Sequence, residues 1–105
     1  MEKYIVITTL SDNLEIIKDI SNYLLNNHLV AGCQISTVNS TYWWDNELVE
    51  STEYKLEMRT IENNYNKIKE IIKKKHNYKV PEISYYEIKG SIEILEWVEE
   101  YANNK

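Results

Sequence analysis

A chain of 105 residues that is 43% hydrophobic and 28% charged reads as one globular domain, 1–105, with a single core. No apolar run approaches the ~20 residues that a bilayer span requires, and a formal net charge of −5 argues against the basic patch that non-specific nucleic-acid binding needs. One cysteine cannot close an intrachain bridge, and the N-terminus passes at once into strand-like residues with no signal-peptide pattern, so a reducing, cytoplasmic setting is expected.

Tyr4 to Thr9 is a β-branched run bounded by Ser11-Asp12-Asn13, which predicts a buried strand and then a helix start. Asp12 with Glu15 resembles a capping box, and Ile16, Ile17, Ile20, Tyr23 and Leu24 recur at helical spacing up to Asn26-Asn27. His28 follows, where a cation complements the helix dipole. From Leu29 the period changes to two, with Ala31, Cys33 and Ile35 on one side and Val30, Gly32 and Gln34 on the other. This strand runs through Thr41-Tyr42-Trp43-Trp44 to Asp45-Asn46, a pair that tolerates positive φ in a two-residue hairpin.

The returning strand alternates Tyr54, Leu56 and Met58 against Glu53, Lys55, Glu57 and Arg59, which predicts a long hairpin with aromatic tips. The charged set suggests a cross-strand ladder; enclosed by neighbouring subunits, Arg59 would instead seek an anion. Thr60 is placed to cap a second helix with Tyr65, Ile68, Ile71 and Ile72 inward, ending in Lys73-Lys74-Lys75. Val80 to Lys89 predicts a further strand, whose start Pro81 confines to an edge. Gly90-Ser91 precedes a last helix carrying Ile92, Leu95, Val98 and Ala102.

The order β-α-β-β-α-β plus a terminal helix predicts an α+β, ferredoxin-like sandwich with an extended β-hairpin, its helices on one face of a four-stranded antiparallel sheet. Tyr42, Trp43, Trp44, Tyr85 and Tyr86 would then leave a large aromatic patch in water, which points to symmetric self-association.

These residues resemble the CutA divalent-cation-tolerance family over nearly the whole chain. The matching segments are Ile5-Val6-Ile7-Thr8-Thr9, Ala31-Gly32-Cys33, Ser40-Thr41-Tyr42-Trp43-Trp44, Glu53 to Arg59-Thr60, His76-x-Tyr78, Pro81-Glu82-Ile83 and Glu96-Trp97. The resemblance implies a homotrimer whose hairpins pair edge to edge and form clefts between subunits, and an association with copper and other divalent metals. It also implies a fold like that of the trimeric PII signalling proteins, without a shared ligand. The chain departs from the family pattern at Asn77, Arg59 and Asn46, where proline, lysine and glycine are usual.

Cys33 and His76 are the thiol and imidazole that copper or zinc would favour, with Glu53 or Glu82 as an oxygen donor, assembled in space because no metal-ligand spacing occurs in the sequence. Each has an ordinary structural role open to it: Cys33 as a small strand hydrophobe, His76 as a partner of a last-turn carbonyl or of Glu82. Trp43, Trp44 and Trp97 could stack a planar ligand or supply interface area. No nucleophile elbow or glycine loop accompanies Cys33, so no enzyme is expected.

Three roles are consistent with this: a trimer that binds divalent metal, Cu2+ first; a PII-like sensor or scaffold whose intersubunit cleft, lined by Arg59, Tyr78, Glu82 and Trp97, takes a small anion or a protein partner; and an assembly platform.

Overall fold

The computed structural model describes residues 2–104. Its elements are β1 (Tyr4–Ser11), α1 (Leu14–Asn26), β2 (Gly32–Trp44), β3 (Glu47–Ile61), a 3-10 turn (Glu62–Asn64), α2 (Tyr65–Lys75), β4 (Ser84–Glu87) and α3 (Ile92–Tyr101). The strands form one antiparallel sheet in the order β2-β3-β1-β4. This is the ferredoxin-like α+β arrangement expected from the element order.

Strand alternation assigns the faces. Ile5, Ile7, Leu56 and Met58 point toward α1 and α2, where they join Ile17, Ile20, Leu24, Ile68 and Ile72 in a closed apolar core. Burying each such side chain stabilises the fold by about 1.5–3 kcal/mol. α3 does not share that layer with α1 and α2. The Tyr4 hydroxyl donates to Glu99 at 2.7 Å, and Trp97 lies so close over Gly32 that a Cβ there would sit 2.7 Å from the indole. Tyr4, Val6, Gly32 and Arg59 occupy the opposite face, so the expectation that the helices share one face holds for α1 and α2 only.

Asp45 and Asn46 both have positive φ, 53° and 62°, as a two-residue hairpin with right-handed strand twist requires. β1 pairs with β3 only as far as Ser11 opposite Tyr54, leaving Glu47 to Glu53 paired with β2 alone. The hairpin therefore projects about 20 Å beyond the body at ~3.3 Å per residue. Its tip carries Trp43, Trp44 and Leu48 exposed, Trp43 at 73%.

Local expectations needed correction at three ends of elements. Asn13, not Asp12, caps α1: its side chain accepts the Ile16 amide at 3.2 Å, while Asp12 accepts the Asn77 side-chain amide instead. Thr60 is no helix cap, because β3 runs on to Ile61. Its hydroxyl donates to the Leu29 carbonyl at 2.6 Å. Asn64 lies behind it, its two amide protons shared among Leu29 O, Thr60 Oγ1 and Ala102 O at 2.9–3.2 Å. This buried knot ties the β2 entry, the end of β3 and the end of α3 together. Finally, the strand expected over Val80 to Lys89 is only Ser84–Glu87, since pairing with β1 begins at Ser84 opposite Thr8. Pro81, with no amide proton, stands outside it.

His28 terminates α1 at φ 54° with its Nδ1 3.1 Å from the Tyr101 carbonyl, a structural role. Lys75 closes the basic run of α2 by pairing with Asp19 of α1 at 3.0 Å and lying 4.5 Å over the Tyr23 ring.

Candidate functional site

The segment from His76 to Glu82 leaves α2 and crosses the C-terminal end of β1, where the hairpin departs from the body. Hydrogen bonds along its length hold it there. The His76 amide donates to Ile72 O and ends the helix. The His76 ring is engaged at both nitrogens: Nε2 lies 2.7 Å from Leu10 O, and Nδ1 is 3.0 Å from the Tyr78 amide nitrogen. A carbonyl can only accept and an amide N–H can only donate, so these partners assign the neutral tautomer with its proton on Nε2. Burial pushes the imidazole below its ordinary pKa, against the opposing pull of the Leu10 carbonyl and of the Asp12 and Glu53 charges.

Asn77 latches the next residue. Its carbonyl oxygen accepts from the Ser11 hydroxyl and its amide donates to Asp12 at 2.9 Å. Ser11 Oγ in turn accepts the Asn13 amide at 3.0 Å, linking the latch to the α1 cap.

Tyr78 packs its ring on His76, centroids 4.9 Å apart, and its hydroxyl donates to Glu53 Oε2 at 2.7 Å. Glu53 is only 6% exposed. Burial first, then the Glu53 carboxylate, pushes the phenol far above its ordinary pKa, so Tyr78 stays a donor. Beside this pair opens a cavity of about 660 Å³ whose lining includes Leu10, Tyr42, Trp44, Glu53, Asn77, Tyr78, Lys79 and Glu82. Glu82 accepts from the Ser84 hydroxyl at 2.9 Å.

The expected ligand sets separate. Tyr78 and Glu82 line the cavity, but Arg59 and Trp97 lie toward the other end of the sheet. Arg59 is six residues along β3 from Glu53, about 20 Å at the strand rise, and donates to Gln34 at 3.1 Å. Trp97 lies over Gly32, the cross-strand neighbour of Arg59. The expected cross-strand charge ladder around Arg59 is likewise absent among the described residues, where the ion pairs are Lys75–Asp19 and Lys89–Glu87.

Cys33 sits opposite Met58 on the helix-facing side and packs against the core. Burial raises its thiol pKa despite a hydrogen bond with Ser21, which favours the protonated form that metals bind poorly. His76 has both nitrogens committed to backbone partners within the chain. No group of three or more His, Cys, Asp or Glu side chains suited to a metal ion forms among the described residues. Cys33, His76, Glu53 and Glu82 therefore do not make a metal centre within the chain.

The sequence reading missed the latch of Ser11, Asp12 and Asn77 and the part of Tyr42 in the cavity wall. The one signal for the latch was Asn77 itself, standing where the family pattern has proline.

Residues 4–101 match the family model described as CutA1 divalent ion tolerance protein. A probable divalent-cation tolerance protein, a cutA homolog of Encephalitozoon cuniculi, is 40% identical over 76 residues, covering 71% of this chain and 67% of that protein. The divalent-cation tolerance protein CutA of Thermus thermophilus is 35% identical over 102 residues, 95% of this chain and 97% of that one. Among solved structures, the periplasmic divalent cation tolerance protein CutA from Archaeoglobus fulgidus superposes with a TM-score of 0.90 at 26% identity, covering 94% of this chain and 98% of its own. Sequence, strand order and superposition agree over almost the whole length, and the chain belongs to the CutA1 divalent ion tolerance family.

Proposed function

We propose that this protein is a homotrimer that binds divalent cations, copper first, and serves metal tolerance in the cytoplasm by binding rather than by catalysis. The observation that carries the reading is the family match over residues 4–101. The trimer draws support from the projecting hairpin, whose tip exposes Trp43, Trp44 and Leu48 in a patch that a monomer would leave in water. Because one subunit gathers no ligand cluster, the cation site is proposed between subunits, with the carboxylates of Glu53 and Glu82 as its oxygen donors.

Light scattering after size exclusion tests the assembly, with about three times the 12.6 kDa chain expected and a monomer overturning it. Titration of Cu2+ into the reduced protein tests the ligand. Saturable binding weakened by Glu53→Gln or Glu82→Gln is expected; equal affinity in these variants and in Cys33→Ala and His76→Ala would remove all four residues, and no saturable binding would remove the metal reading.

A second reading, a small ligand received in the cleft, draws on the cavity that Tyr78 and Glu82 line. In a metal-free thermal-shift screen of small charged ligands, stabilisation that Tyr42→Ala abolishes would support it.

A further inference from the structure

The cavity beside Glu53 has more room than a bare ion fills. At about 660 Å³ it falls in the range of ~300–1,000 Å³ that holds whole organic molecules. Its lining combines aromatic rings, from Tyr42, Trp44 and Tyr78, with charged side chains, from Glu53, Glu82 and Lys79.

Those charges differ in their need for a partner. Lys79 is exposed and keeps its water. Glu53 is nearly enclosed and accepts from one donor among the described residues, the Tyr78 hydroxyl. An ionised carboxylate offers about four acceptor positions, so Glu53, which lines the cavity, has acceptor capacity beyond the Tyr78 bond. Arg59, the cation an incoming anion would need, is held by Gln34 about 20 Å along the strand. An anion entering here would meet the Glu53 and Glu82 carboxylates. A cation would meet an electrostatic partner and the negative faces of aromatic rings.

We propose that this cavity binds a small organic cation, with an ammonium group held against Glu53 and its apolar substituents among Tyr42, Trp44 and Tyr78. The proposal rests on the cleft reading above and names its ligand class. It selects by charge, through one nearly enclosed carboxylate, and by shape, through rings that accept a bulky or methylated nitrogen.

The test is calorimetric titration of the metal-stripped full-length protein with three probes of similar size: benzyltrimethylammonium, benzyl alcohol and benzoate. Saturable binding of the ammonium, about tenfold or more tighter than the alcohol, is expected from a charge-assisted contact. Glu53→Gln should reduce it to the alcohol's level. Tyr78→Phe keeps the ring and frees the second carboxylate oxygen, so it should hold or tighten the ammonium; a loss equal to that of Glu53→Gln would mean a merely structural pair and overturn the proposal. Should Glu53→Gln not fold, Trp44→Ala must weaken the ammonium more than the alcohol, and equal weakening would overturn it. Tighter binding of benzoate would overturn the cation and keep the cleft, whereas binding of none of the three would remove both.

Discussion

The hydroxyl of Tyr78 donates to Glu53 across 25 residues of sequence, at 2.7 Å. It joins the loop after α2 to the root of the projecting hairpin and gives a nearly enclosed carboxylate its donor. Tyr78→Phe should therefore destabilise the fold by about 1.5–3 kcal/mol, the range for losing a hydrogen bond to a charged group. Urea denaturation would measure it. Absorbance titration at alkaline pH should also show late-ionising tyrosines in the wild type, Tyr78 beside Tyr4 and Tyr85, and that late component should shrink in the variant.

His76 gives the fold an acid-sensitive joint. Its folded pKa lies below the ordinary 6.5, so between those two values the unfolded chain binds more protons and stability rises with pH. The contribution is complete above about 6.5 and is lost as pH falls through the depressed folded value, because protonating Nδ1 sets an N–H against the Tyr78 amide. Denaturation midpoints should rise as pH is raised toward about 6.5 and level off above it, and His76→Gln should flatten that rise. Parallel slopes in the two proteins would rule out the joint.

Asn77 replaces a fixed φ with side-chain hydrogen bonds. Asn77→Ala removes the contacts to Ser11 and Asp12 and should cost about 1–2 kcal/mol at the net value of ordinary hydrogen bonds. Asn77→Pro should cost less than Asn77→Ala. His76, at φ −75° and ψ 148°, already has the extended backbone that a following proline imposes. The ring would also restrict the unfolded chain, an effect of about 0.4–1 kcal/mol in favour of the fold. Thermal melts of the three proteins rank them directly; a proline variant less stable than the alanine one would contradict this account.

Gly32 is required by a neighbour rather than by its own backbone. A Cβ there would stand 2.7 Å from the far edge of Trp97. Gly32→Ala should push the indole and α3 outward at about 1 kcal/mol, toward the low end of overpacking costs because the atom displaced is at a side-chain tip. Near-ultraviolet circular dichroism would report the moved tryptophan, and an unchanged spectrum would mean the helix does not bear on that strand.

Most of the fold is legible from local pattern. The run Ile5 to Thr9, the helical spacing from Ile16 to Leu24, the alternation of Tyr54, Leu56 and Met58 and the Asp45-Asn46 turn each report a period or a backbone preference, and each element formed where these place it. Their order predicts the sheet. Choices between adjacent or equivalent residues are not local. Asp12 and Asn13 are equally good caps, and the approach of Asn77, 65 residues away, assigns Asp12 to the latch and leaves the cap to Asn13. Thr60 resembles a cap until Asn64 and the Leu29 carbonyl claim its hydroxyl.

The candidate site divides in the same way. Composition and resemblance singled out Cys33, His76, Glu53, Glu82, Arg59, Tyr78 and Trp97, and chemistry alone allowed them to meet. Tertiary structure decided which do. Alternation turns Cys33 toward the helices and Arg59 away from them. The strand rise separates Arg59 from Glu53, and the path of the loop after α2 brings Tyr78 onto Glu53 and both ring nitrogens of His76 onto backbone. Amino-acid sequence by itself determined the elements, because periodicity and turn chemistry act within a few residues. The pairing of functional side chains had to await the fold, because hydrogen bonds between residues 25 to 66 apart leave no mark on either local segment.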